Sequence, residues 1–109
     1  MTASAFADSS NEHASFTVIA TVVVKDGAVE KFKIAADALT VATRQEPANI
    51  DFTFVQSPTE PTKFATIEHW RTQAGIEDHM SSNQIKAFSE AAGQLFQTGY
   101  PQIEVYTNF

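Results

Sequence analysis

The sequence has no cysteine, which removes disulfides, thiolate nucleophiles and thiolate metal ligands from consideration. Basic residues are few: seven Lys and Arg stand against thirteen Asp and Glu, for a formal charge of −6. A chain of that sign repels a phosphate backbone, and no local Lys/Arg cluster offsets it, so nucleic acid is not an expected partner. No run approaches the ~20 apolar residues of a bilayer span. Residues 1–14 lack the basic start and apolar run of a secretory signal. The expectation is a cytoplasmic protein without a membrane partner. The four glycines are scattered, so there is no Gly-rich phosphate loop, and no G-x-S-x-G nucleophile turn occurs. Ligand-type residues adjoin at Glu68-His69 and Glu77-Asp78-His79, but adjacent strand residues point apart and no His-x-x-x-His exists. No metal site is expected.

Phenylalanine, by contrast, is plentiful, with nine of the twelve aromatic residues. A chain of 109 residues suits one domain. Nine Phe supply more aromatic volume than a small two-layer core needs, and a ligand pocket or a subunit interface would use the surplus.

Residues 1–14 show no periodicity and read as a mobile tail; residues 15–109 read as the single domain. Residues 16–24 (FTVIATVVV) are β-branched almost throughout and predict a strand. Phe16, Val18, Ala20, Val22 and Val24 share one face; Thr17, Ile19, Thr21 and Val23 share the other. Both faces are largely apolar, unlike a strand wetted on one side. After the turn Lys25-Asp26-Gly27, the spacing of Phe32, Ala35, Ala36, Leu39, Ala42 and Thr43 predicts a helix to about Gln45. Pro47 ends it, because the residue before proline disfavours helical backbone. Residues 50–56 predict a second strand, with Ile50, Phe52 and Phe54 on one side. Pro58 and Pro61 mark a hairpin loop, and residues 63–70 a third strand. A short helix is expected over 71–80, interrupted by Gly75. Ser81-Ser82-Asn83 offers caps for another helix, running to about Gln97 with Ile85, Phe88, Ala92, Leu95 and Phe96 as its stripe. Gly99 stops it, and residues 102–106 form a last strand.

The order β-α-β-β-α-β predicts an α+β, ferredoxin-like fold: a four-stranded antiparallel sheet with helices on one face. The uncovered face is expected to carry Phe52, Phe54, Phe64 and Trp70, or their neighbours in the opposite register. Such an apolar face left in water calls for cover, and a second copy packed face to face is the simplest cover.

Three segments in order carry a family resemblance: Ile67-Glu68-His69-Trp70-Arg71, then Gly75-Ile76-Glu77-Asp78-His79-Met80, then Ile85-Lys86-Ala87-Phe88. With FTVIATVVVKDG at the start and Arg44-Gln45-Glu46-Pro47-Ala48-Asn49 at the helix end, the set resembles the antibiotic biosynthesis monooxygenase family. Within it, the chain looks most like the cofactor-independent quinol monooxygenases and their anthrone-oxidising relatives. The likeness spans residues 16–106. It implies a homodimeric α+β barrel, a pocket in each protomer between sheet and helices, and no cofactor. Three positions depart from the family pattern: Gln84 stands where a second His is common, Ala48 where Gly follows the proline, and no Asn occurs in the first strand. The last departure argues against haem degradation.

The resemblance implies a cofactor-free monooxygenase of small phenolic, quinol or anthrone-like aromatics, with molecular oxygen as co-substrate. Such chemistry needs an apolar pocket, a base that makes an electron-rich anion, and groups that hold it. Histidine is the suitable base near neutral pH. His13 falls in the tail and His69 points to the opposite sheet face from Glu68 and Trp70. His79 matches the family's helix-end His and is the expected base, with Glu68 as its orienting or charge-stabilising partner. Trp70, Phe52, Phe54, Phe64 and Phe88 are the expected substrate walls. Tyr100 and Tyr106 could donate to a substrate oxygen, but edge packing accounts for them better. A non-oxidative isomerase, decarboxylase or cyclase would use the same base and pocket, and a non-catalytic small-molecule-binding dimer the pocket alone.

Overall fold

A computed structural model describes residues 15–109; the tail assigned to residues 1–14 lies outside the described residues. Strand β1 (Phe16–Val23) leads to helix α1 (Val29–Thr43), then β2 (Asn49–Gln56), β3 (Lys63–Trp70), α2 (Gln73–Met80), α3 (Asn83–Ala92), a 3₁₀ turn (Gly93–Leu95) and β4 (Gln102–Thr107). The four strands form one antiparallel sheet in the order β2-β3-β1-β4. This is the expected ferredoxin-like arrangement, with the second helical crossover split into α2 and α3.

Local chemistry explains where the elements stop. Gly27 takes a positive φ of 82° in the turn after β1, a conformation that glycine adopts without strain. Helix α1 ends two residues earlier than its periodicity predicts. The amides of Gln45 and Glu46 bond back to Ala42 and Thr43, three residues away, which tightens the chain ahead of Pro47. Helix α3 is shorter than its apolar stripe predicts. Past Ala92 the backbone is drawn to the end of β1: Lys25 N–H donates to the Leu95 carbonyl at 2.8 Å and Gln97 N–H to that of Val23 at 2.7 Å. Phe96 is therefore extended, bridged to Val24, yet its ring still meets the core.

Register decides which side of the sheet is buried. Val18 pairs with Glu68, Ala20 with Thr66 and Val22 with Phe64, while Phe52 stands opposite Glu68 and Phe54 opposite Thr66. All of these side chains face the helices. The first of the two expected assignments for the open face is thus corrected. Phe52, Phe54, Phe64 and Trp70 lie under the helices, and the uncovered face carries Ile19, Ile67, Val55, Thr21, Ala65 and Tyr106, with Ile67, Val55 and Tyr106 exposed. The β2–β3 register shifts between Asn49 and Asp51 and leaves Ile50 without a ladder partner, a bulge that adds one residue to the strand.

Phe32 of α1 is the hub of the main core. Its ring lies 4.7 Å from Phe64, 5.7 Å from Phe54, and 6.1 Å from both Phe88 and Phe96, centroid to centroid. Tilted and edge-on rings at such distances add attraction beyond area burial. Val22, Val24, Ala28, Ala36 and Ala92 complete this cluster. A second, smaller one joins Val18, Trp70 and Ile76. No helix among the described residues is long and apolar enough to cross a membrane.

Candidate functional site

Between sheet and helices, beside the Phe32 cluster, lies a cavity of about 220 Å³. Its floor is the helix-facing side of β1, β3 and β4, with Val18, Ala20, Thr66, Ile103 and Val105. Its roof and walls include Phe52, Phe54, Leu39, Ile76, Met80 and Phe88. Ala20 has a short side chain at the centre of this floor, opposite Thr66 and Ile103, and leaves room where its neighbours Val18 and Val22 are branched. The lining is almost wholly apolar. Two ionisable groups interrupt it, Glu68 from β3 and His79 from α2, and both are buried.

His79 reaches the cavity because α2 is held tightly at both ends. Thr72 caps the helix by accepting the Gly75 N–H at 2.9 Å. Gly75 does not interrupt α2, contrary to the sequence expectation; it lies inside it. A methyl group there would collide with the Ala48 side chain, so glycine permits close approach of α2 to the turn after α1. Arg71 fastens that turn to the end of β3. Its N–H donates to the Ala48 carbonyl at 2.9 Å, and its Nη1 to the carbonyls of Pro47 and Asn49. At the other end, Ser82 Oγ donates to the His79 carbonyl at 2.6 Å and caps α3 through Ile85 N–H.

The turn so fastened carries Glu46. Its Oε2 accepts from His79 Nδ1 at 2.8 Å and from Gln84 Nε2 at 2.7 Å. A carboxylate accepts only, so the ring proton resides on Nδ1. Nε2 has no hydrogen-bond partner among the described residues and is the nitrogen left for the cavity. The orienting carboxylate expected at Glu68 is therefore supplied by Glu46. Glu68 bonds elsewhere: Thr66 Oγ1 donates to its Oε2 at 2.7 Å and the Trp70 indole N–H to its Oε1 at 2.9 Å. Burial pushes the Glu68 carboxyl above the usual carboxylate range, against the opposing pull of these two hydrogen bonds and of His79.

Of the residues singled out in the sequence, the cavity brings together His79, Glu68, Phe52, Phe54 and Phe88. Trp70 lies behind this wall, fully buried, with its ring 4.8 Å from that of His79. Phe64 belongs to the Phe32 cluster and does not line the cavity. His69 is on the open face, where its Nδ1 lies 2.6 Å from Asp51 Oδ1. Among the described residues no three His, Asp or Glu side chains converge as metal ligands would. In the sequence Glu46 stands out only as part of a helix end, and Gln84 only as a departure from the family pattern. An acidic residue just before a helix-ending proline was the available signal. Ala20 gave none beyond its small size among branched neighbours.

Solved structures with the same architecture are numerous. A Nitrosomonas europaea protein described as a candidate antibiotic biosynthesis monooxygenase superposes with a TM-score of 0.80 at 22% identity, over 85% of this chain and 97% of that one. A Pseudomonas aeruginosa protein gives 0.80 at 25% identity, over 89% and 96%. A conserved Methanosarcina mazei protein gives 0.81 at 21%, over 88% and 94%. The comparison with curated proteins finds no match. The sequence profile of the antibiotic biosynthesis monooxygenases matches residues 15–91, from the first strand to the end of α3, and this chain belongs to that family.

Proposed function

We propose that the protein is a cofactor-independent monooxygenase of small phenols and hydroquinones. The observation that carries this reading is the pair His79 and Glu68, two buried ionisable groups meeting one otherwise apolar cavity. An apolar cavity of about 150 Å³ holds benzene, so about 220 Å³ suits one substituted ring or two fused rings. Anthrone-like three-ring substrates fit less well.

In this reading Nε2 of His79 takes the proton of a substrate hydroxyl. Glu68 accepts a hydrogen bond from a second hydroxyl, and Phe52, Phe54 and Phe88 enclose the ring. The bound anion gives one electron to O₂. The aryloxyl radical and superoxide so formed combine at ring carbon, and the hydroperoxide loses water. The balance is hydroquinone plus O₂ giving hydroxyquinone plus water, with the substrate supplying every electron. An apolar lining favours the step because it strengthens the interactions that hold the anion. With ¹⁸O₂, one labelled atom should enter the product and one the water. Product labelled from solvent water alone would refute the reading.

We also propose that a second copy covers the open face, supported by the neighbouring Ile19, Ile67 and Val55 on it. Sedimentation should give twice the 11.9 kDa chain mass; a stable monomer at micromolar concentration would contradict this.

A further inference from the structure

We propose that Glu46 is the positioning residue of this site and that the proton taken from substrate leaves through it, on the side of α2 away from the cavity. Three observations converge. Glu46 holds His79 Nδ1 at 2.8 Å, which directs Nε2 to the cavity. Glu46 itself does not line the cavity. Instead it lines a second, more polar pocket of about 320 Å³, together with Thr72, Asp78, Ser82 and Gln84. Side-chain exposure rises from 4% at His79 to 15% at Glu46, so the pair spans the wall between the apolar cavity and the more polar outer pocket.

The proton path balances at each atom. The substrate O–H bond breaks and an Nε2–H bond forms, while the Nδ1–H proton passes to Glu46 Oε2 and on to water in the outer pocket. The starting tautomer returns when Nε2–H gives its proton to the oxygen that departs as water and Glu46 passes a proton from the outer pocket back to Nδ1. Gln84, which donates to the same oxygen at 2.7 Å, keeps the carboxylate turned toward the ring. The remaining acidic groups nearby are Asp78, on the outer pocket, and Glu68, on the cavity. An imidazole bridging the two pockets moves a proton from one to the other through its two ring nitrogens.

This inference takes from the proposed function only that His79 is the base. Its first test therefore needs no substrate. Ring ¹⁵N shifts of His79 in the ligand-free full chain should report the Nδ1–H tautomer in the parent. Glu46→Ala should lose that preference, and sodium formate entering by the outer pocket should restore it. An unchanged tautomer in Glu46→Ala, or no response to formate, would overturn the proposal. In turnover of a hydroquinone, Glu46→Gln should lose about a hundredfold in kcat with KM within about twofold, since it accepts the Nδ1–H bond but not the proton. Parent-like kcat in Glu46→Gln would overturn the exit path. If the parent turns over no hydroquinone, the oxidative reading fails, while the tautomer and formate results still decide this one.

Discussion

Nδ1 of His79 and Oε2 of Glu46 lie 2.8 Å apart, although 33 residues separate them in sequence. The contact joins the end of α2 to the turn after α1. It fixes which imidazole nitrogen the cavity receives, and so makes His79 the first residue to test. His79→Gln keeps bulk and polarity but removes the base. It should lower kcat by about 10²- to 10⁴-fold, the usual worth of a positioned general base, with the far-ultraviolet circular dichroism of the parent. Steady-state kinetics on a hydroquinone checks this.

Glu68 is predicted to sacrifice stability for its place in the cavity. Burial raises its pKa in the folded chain, so the folded state holds that proton more tightly than the unfolded one does. The associated stability is fully present below the unfolded carboxylate pKa and is lost as pH rises through the folded value. Glu68→Gln removes this loss; its amide oxygen still accepts from the Trp70 indole N–H, and its NH2 donates to the Thr66 hydroxyl, which turns to accept. Denaturant titrations should find the variant more stable than the parent at neutral pH, the gap closing as pH falls toward the ordinary carboxylate range. Hydroquinone turnover should fall in the same variant.

Ala20 should control how much ligand the cavity admits. Ala20→Leu adds three carbons at the centre of the floor. Within the apolar cavity these side-chain atoms find apolar neighbours and cost little stability, unlike overpacking of a close-packed core. Ligand affinity should drop at least tenfold, measured as a rise in KM or in the Kd of a non-oxidisable phenol, with kcat far less affected.

Gly75 and Ala48 are predicted to be coupled. Gly75→Ala places a methyl group against the Ala48 side chain and should destabilise the chain by about 1–3 kcal/mol, as overpacking does. Adding Ala48→Gly, which restores the glycine common at that family position, should recover most of the loss. A double-mutant cycle by urea denaturation reads the interaction directly.

Much of this architecture was legible because the apolar periodicities were strong and agreed with their caps. The β-branched run of β1, the stripe Phe32, Ala36, Leu39 and the Ser82 cap all appear where they were expected. The side of the sheet was not legible. When both faces of a strand are apolar, one-residue alternation does not say which the helices cover, and Phe64 and Trp70 were provisionally placed on the wrong one. The end of α3 differs because backbone pairing with the end of β1 outweighs helical spacing there, and that of α1 because the chain tightens into bonds three residues back ahead of Pro47. In the candidate site, His79 and Glu68 both line the cavity, but the bonding partner of His79 was not legible. The carboxylate that reaches His79 comes from Glu46, and only the folded turn between α1 and β2 brings it there.

The central claim is that His79 and Glu68, in an apolar cavity, let a bound phenol react with O₂ unaided. The most direct measurement is turnover of a hydroquinone by chelator-treated protein, in air and under strict anaerobiosis. The account predicts one O₂ consumed per hydroxyquinone formed in air and no product without oxygen. Product at an equal rate in both would contradict it.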